Sequence, residues 1–221
     1  MRRILATVAL LALFVTPALA ALNPYTYLKS VAVLQTEGRN MCSVTAINAE
    51  KDYFLTAAHC VVAHFPTAES PEVDEQANTN MTVDGLPATI LDVNVLQDLA
   101  VLYVPGSKRP ALKIAHRDVR YLDAITMAGH PFGWDAATVM RGTVAAPSLQ
   151  FTNNPNDYPF TKLYMILQVS GAPGNSGSSV VNDKMEVVSV VQISWGRSFE
   201  SVMGTAPYFE LVRFASRYFG K

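Results

Sequence analysis

The sequence predicts an all-β fold. Short stretches rich in Val, Ile, Thr and Tyr recur between turn signals, at residues 31–34, 42–47, 53–56, 88–95, 99–104, 124–128, 137–145, 164–169, 178–181, 187–193 and 204–209. Their number and spacing fit a barrel or a sandwich, and the pattern alone does not choose between them. With a leader set aside, residues 21–221 suit one large domain or two small ones sharing a core.

Residues 1–20 read as a secretory signal. Arg2 and Arg3 form a basic start, residues 4–15 are apolar, and Ala18-Leu19-Ala20 supplies small residues for cleavage after Ala20. A retained membrane anchor is the alternative, although a span needs about 20 apolar residues. Residues 67–80 are polar and acidic, with Glu69, Glu72, Asp74 and Glu75, and read as a solvated surface loop. Pro105-Gly106 and Lys108-Arg109-Pro110 open a connection over 105–120. A second long loop is expected over 148–160, around Asn153-Asn154-Pro155-Asn156-Asp157. At the C-terminus, Leu211, Val212, Ala215, Tyr218 and Phe219 recur at helical spacing and predict a helix.

A net charge of −1 and 16% charged residues argue against nucleic acid as the main partner. No second apolar stretch is long enough to cross a membrane, so no membrane partner is expected after cleavage of the signal. The two cysteines, Cys42 and Cys60, would reach an oxidising compartment, where a disulfide is the natural outcome. Two free thiols, or a metal held with His59, are the other readings; no third and fourth ligands cluster nearby, and no cofactor is expected.

Three short segments carry the chemistry: Thr56-Ala57-Ala58-His59-Cys60, Asp98-Leu99-Ala100-Val101-Leu102 and Gly174-Asn175-Ser176-Gly177. A serine hydroxyl is a poor nucleophile near neutral pH and needs an imidazole to take its proton and a carboxylate to orient that imidazole. His59 follows an apolar stretch that sets it at the end of a buried strand; His64, His116 and His130 lack that setting. Asp84 and Asp92 compete with Asp98. Glycines around Ser176 leave room for backbone N–H groups to face a developing oxyanion.

On these segments the chain resembles the chymotrypsin-like (trypsin-like) serine peptidases. The order His, Asp, Ser is theirs, whereas α/β-hydrolases run Ser, acid, His. The resemblance implies His59 as general base, Asp98 as orienting carboxylate, Ser176 as nucleophile, and the N–H groups of Gly174 and Ser176 as oxyanion hole. It implies two packed six-stranded β-barrels, over 21–115 and 116–221, with the C-terminal helix packed on the second. It also supports a Cys42–Cys60 bridge, and it raises a calcium site in the 67–80 loop as the lesser alternative to a solvated loop. Asn175 stands where the zymogen-derived branch has Asp, and no Ile-Val activation start is present. In this the chain resembles the bacterial HtrA-like and glutamyl endopeptidase-like branches. Gly129-His130-Pro131-Phe132-Gly133 followed by Arg141-Gly142-Thr143-Val144 resembles the first hairpin of the second barrel in HtrA-like enzymes. The chain is too short to carry their PDZ domain as well.

For specificity, Ser194-Trp195-Gly196 resembles the segment that pairs with substrate backbone, Ser170 falls at the pocket base and Gly204 at its far wall. None of these is acidic, and Ile193 replaces the histidine of glutamyl endopeptidases, so an apolar residue before the scissile bond is expected. The expected activity is that of a secreted or periplasmic endopeptidase acting on protein or peptide through an acyl-enzyme. A catalytically silent binding module and an esterase on the same fold are the alternatives. The intact set His59, Asp98 and Ser176 argues against the first, and Trp195 with its pairing edge against the second.

Overall fold

The computed structural model describes residues 24–62, 78, 80–151, 162–195 and 202–220. A short helix, α1 (Pro24–Ser30), leads into β1 (Val31–Thr36), β2 (Arg39–Asn48), β3 (Tyr53–Thr56), β4 (Met81–Val83), β5 (Leu86–Pro87), β6 (Thr89–Asn94) and β7 (Leu99–Tyr103). A second set follows: β8 (Ala124–Gly129), β9 (Thr138–Phe151), β10 (Lys162–Gln168), β11 (Ser179–Val181), β12 (Val187–Trp195) and β13 (Val202–Thr205). Helix α2 (Tyr208–Ala215) closes the chain with one further 3₁₀ turn, Ser216–Tyr218.

The second set forms a closed barrel in the order β10-β13-β12-β11-β8-β9. The first set is a seven-stranded sheet in the order β5-β4-β1-β2-β3-β7-β6, without a closing ladder among the described residues. Its two end strands, β5 and β6, are separated in the chain by Ala88 alone, and Ala88 N–H donates to the Met81 carbonyl at 2.9 Å. The two edge strands are therefore joined by the covalent chain, while no ladder pairs them among the described residues. Pro87, in β5, has no N–H to extend that edge. The expected six-stranded first barrel is thus a half-barrel with an extra hairpin.

That hairpin, β4–β5, and helix α1 were outside the sequence expectation. Asp84-Gly85 joins β4 to β5 with φ of +53° and +75°, a pair that accepts the primed turn matching strand twist. The Asp-Gly dipeptide was the available signal. Helix α1 has Pro24 at its start and Lys29 in its last turn as local marks. Boundaries also move, two of them by more than three residues. The strand expected over 204–209 ends at Thr205, because Pro207 presets the first turn of α2. The loop expected from Ser148 begins later, since β9 runs on to Phe151 and pairs Leu149 with Tyr164. Residues 152–160, residues 67–77 and the leader lie outside the described residues.

Helix α2 does not pack on the second barrel alone. Leu211, Phe214 and Ala215 are buried in a core that also contains Phe54, Leu102 and Val190. Each large side chain stabilises by about 1.5–3 kcal/mol through burial. Asn48 Nδ2 donates to the Tyr218 carbonyl at 3.1 Å and Gly220 N–H to the Ile47 carbonyl at 2.9 Å, so the tail ties back to β2. Asp92 accepts from Tyr218 Oη at 2.7 Å and Arg217 Nη2 at 2.5 Å. The connection between the sets is stapled to both: Leu112 N–H donates to Ala46 O, and Ala115 N–H to Val187 O, each at 2.9 Å.

Cys42 and Cys60 are disulfide-bonded, with Cα atoms 6.0 Å apart and a sequence separation of 18. The bridge ties β2 to the turn after β3. Thiol titration of the unfolded, unreduced protein should find no free thiol. Reduction should cost about 3 kcal/mol and lower Tm by on the order of 10 °C in a thermal melt. Two titratable thiols would remove the bridge.

Candidate active site

Strand β3 ends in a buried Thr56, and the next turn, Ala58–Cys60, presents His59. The imidazole Nδ1 lies 2.9 Å from Asp98 Oδ2 and 3.1 Å from Oδ1. His59 N–H also donates to Asp98 Oδ1 at 2.9 Å, so one carboxylate holds both the ring and the backbone of the histidine. Asp98 is the less exposed partner: its side chain is 8% exposed against 31% for His59. A buried carboxylate beside Nδ1 keeps the proton on that nitrogen and leaves Nε2 as the acceptor.

Asp98 sits in the left-handed region at φ +52°, which a short polar side chain tolerates better than most. Asn94 frames the preceding turn, accepting from Gln97 N–H at 2.9 Å. From the other half of the molecule Gln192 reaches over and donates through Nε2 to the carbonyls of Gln97 (2.6 Å) and Asp98 (3.1 Å). Gln192 escaped the sequence reading. It occupies the register shift of β12 between Val191 and Ile193, which turns its side chain toward a loop 94 residues away. The competing carboxylates are engaged elsewhere, Asp84 with Arg109 and Asp92 with Arg217.

Ser176 is partly exposed, between a fully buried Asn175 and Gly177. A Cβ on Gly177 would lie 2.1 Å from Thr56 Oγ1, 2.2 Å from Ser43 O and 3.2 Å from Ala57 N, at a φ of +80° that side chains avoid. Only glycine permits this approach, and it seats the Ser176 loop against the segment that carries His59. The N–H groups of Asn175, Gly177 and Ser178 are spent on the carbonyls of Ala172, Val191 and Asn175. Among the described residues, those of Gly174 and Ser176 have no internal acceptor.

The proposed specificity residues divide. Ser194, Trp195 and Gly204 gather on β12 and β13, where a Cβ on Gly204 would meet Ile193 Cγ2 at 2.7 Å and Trp195 Cη2 at 2.6 Å. Trp195 stands edge-on to Tyr164, with centroids 5.4 Å apart. Ser170 is exposed on the loop after β10, and its neighbour Gly171 packs under Met203. Gly196 lies outside the described residues. Lys162 Nζ rests 4.9 Å from the Tyr164 centroid; burial pushes its pKa down, against the charges of Asp98 and Glu210.

The loop after β8 buttresses this site. Phe132 N–H donates to the Pro173 carbonyl at 2.5 Å, and His130 is buried with Nδ1 at 2.8 Å from the Trp134 carbonyl. Burial pushes the His130 pKa down; the Trp134 carbonyl opposes this only in part. Its Nε2 is buried without a partner among the described residues, so a second proton there would have no acceptor. Among the described residues, the cluster Cys42, His59 and Cys60 has metal-ligand proximity, but both sulfurs are consumed by the disulfide.

The profile of the trypsin-like peptidase domain matches residues 42–190, a span that includes His59, Asp98 and Ser176. Crystal structures of Rv3671c from M. tuberculosis share the fold. An inactive serine-to-alanine form from strain H37Rv superposes with a TM-score of 0.67 at 19% identity, covering 93% of this chain and 96% of that one. The active form of that protease gives 0.69 at 17% identity, covering 90% and 85%. No curated protein sequence matches the chain.

One prediction concerns His130. With its folded pKa below the ordinary value of about 6.5, the unfolded chain binds the proton more readily. Its contribution to stability is present above that value and declines as pH falls below it. Urea melts between about pH 5 and pH 7 should show a shallower loss for His130→Asn than for wild type. An unchanged slope would mean that His130 is not the group responsible.

Proposed function

The chain belongs to the trypsin-like peptidase family and is a serine peptidase; from that premise we propose that it is an exported endopeptidase in which Ser176, His59 and Asp98 act as one unit. The observation that carries this reading is the part-buried contact of His59 Nδ1 with Asp98, on a turn against which the Ser176 loop is seated.

In the proposed reaction Ser176 Oγ bonds to the carbonyl carbon of the scissile peptide as its proton passes to His59 Nε2. The carbonyl electron pair moves to oxygen, where the N–H groups of Gly174 and Ser176 receive it. The C–N bond then breaks, and the Nε2 proton goes to the departing amine. Water attacks the acyl ester, giving its proton to His59; the acid leaves, and the proton returns to Ser176. Asp98 stays ionised throughout, holding the tautomer and compensating the imidazolium. The basic start and small cleavage residues of positions 1–20 support export, as does a disulfide, which persists in oxidising compartments.

Labelling with a fluorophosphonate tests the nucleophile, since it should modify wild type and not Ser176→Ala. In steady-state peptide assays Ser176→Ala and His59→Ala should each lose on the order of 10⁴-fold or more in kcat, and Asp98→Asn about 10⁴-fold. Near-normal turnover in Ser176→Ala would end the assignment.

The substrate side is read from Ile193 and Trp195, which close on Gly204, and from Tyr164, which stands edge-on to Trp195. Peptides with Phe, Tyr, Leu or Met before the scissile bond should show higher kcat/KM than matched peptides with Arg, Lys or Glu. An Arg or Glu peptide at the head of the series would refute this pocket and leave the roles of His59, Asp98 and Ser176 standing.

A further inference from the structure

Tyr27 lies in α1, remote in sequence from the site. Its ring is fully buried in the core shared by the two halves, and its hydroxyl crosses into the second barrel. There it donates to the Ser179 carbonyl and accepts the Ala128 N–H at 2.8 Å.

The place of this hydroxyl is unusual. Strands β8 and β11 pair Val181 with Thr126 and Val180 with Met127. In that antiparallel register the next rung would join Ser179 to Ala128 directly. The Tyr27 hydroxyl stands in that rung, taking the Ala128 N–H on one side and giving its proton to the Ser179 carbonyl on the other. Burial pushes the phenol pKa far above its ordinary value, so the group remains a neutral donor and acceptor at any working pH.

Both strands part at this point and lead into the site. Ser179 is three residues beyond Ser176. Ala128 precedes the Gly129-His130 loop, which packs beneath the oxyanion segment: a Cβ on Gly174 would fall 2.4 Å from His130 O and 2.9 Å from Phe132 N. The width of the opening between β8 and β11 therefore sets how the Ser176 loop rests on the 130–134 loop.

We propose that Tyr27 is a positioning residue for the nucleophile loop, and that α1 is a built-in activating element which holds β8 and β11 apart through this one hydroxyl. The proposal rests on the reading of Ser176 as nucleophile. It implies that loss of α1 by N-terminal trimming lowers turnover although His59, Asp98 and Ser176 all remain.

Tyr27→Phe, which keeps the ring and removes one oxygen, decides the matter. Tyr208→Phe serves as comparison, because the Tyr208 hydroxyl donates to Ala115 O at 2.7 Å, away from the nucleophile loop. Per folded molecule, Tyr27→Phe should lose on the order of 10-fold in kcat with KM within about 2-fold, and its fluorophosphonate reaction should slow in step. Tyr208→Phe should keep the wild-type kcat. If Tyr27→Phe is partly unfolded at the assay temperature, the comparison is made in sucrose, which favours the folded state. A lowered Tm with unchanged kcat per folded molecule would make Tyr27 a structural residue only and overturn the proposal. Failure of wild type to react with the fluorophosphonate would instead remove the nucleophile reading, and this proposal with it.

Discussion

Ser43, fully buried in the middle of β2, holds the segments that build the site to one another. Its N–H donates to the Ser176 carbonyl at 2.8 Å, and its hydroxyl donates to the Gly174 carbonyl at 2.9 Å. The same hydroxyl accepts the His130 N–H, and the Ser43 carbonyl accepts from Thr56 Oγ1, both at 2.9 Å. The Ser176 loop, the loop that supports it and the strand that ends at His59 are thus referred to one residue. Cys42, next in the chain, is bonded to Cys60 beyond His59, so a covalent link reinforces the same junction. A buried junction of this kind is stiff, because each hydrogen bond lost there would leave a desolvated partner unpaired.

The surroundings of Ser43 explain why small residues stand where they do. A Cβ on Gly129 would lie 2.0 Å from Ser178 Oγ, 2.8 Å from Asn175 Oδ1 and 3.0 Å from Ser43 Oγ. Three polar side chains share a space that one methyl group would fill. The amide of Asn175 is buried without charge, and among the described residues its Nδ2 makes only a long contact of 4.0 Å with Met140 sulfur. The ordering of the loop rests on backbone packing and on neutral hydrogen bonds, and α1 supplies one of them from the N-terminal side.

The two halves are coupled at the carboxylate as well. Asp98 belongs to the half-barrel, and Gln192, which grips the carbonyls beside it, belongs to the closed barrel. Helix α2 covers the same seam with Leu211 and Phe214. Relative motion of the halves would disturb the His59–Asp98 geometry, and the stapled connection at Leu112 and Ala115 opposes such motion.

The strands around the core were legible in the sequence because their signals are local. Short apolar runs with β-branched and aromatic residues mark 53–56 and 99–104, and each extends only a few residues along the chain. The segments around His59, Asp98 and Ser176 are legible for the same reason, since the chemistry needs particular neighbours in sequence. Elements of two or three residues, such as β4 and β5, are too short to show a period, and only their Asp-Gly turn betrays them. What the tertiary structure decided is which distant groups meet. A single extra residue in β12 turns Gln192 toward Asp98. A helix of seven residues places Tyr27 in the gap between β8 and β11. Such contacts depend on register and on the docking of one half against the other, and a one-residue slip reverses which face each side chain occupies. No local pattern in the chain encodes that choice; the joint packing of both halves around Ser43 does.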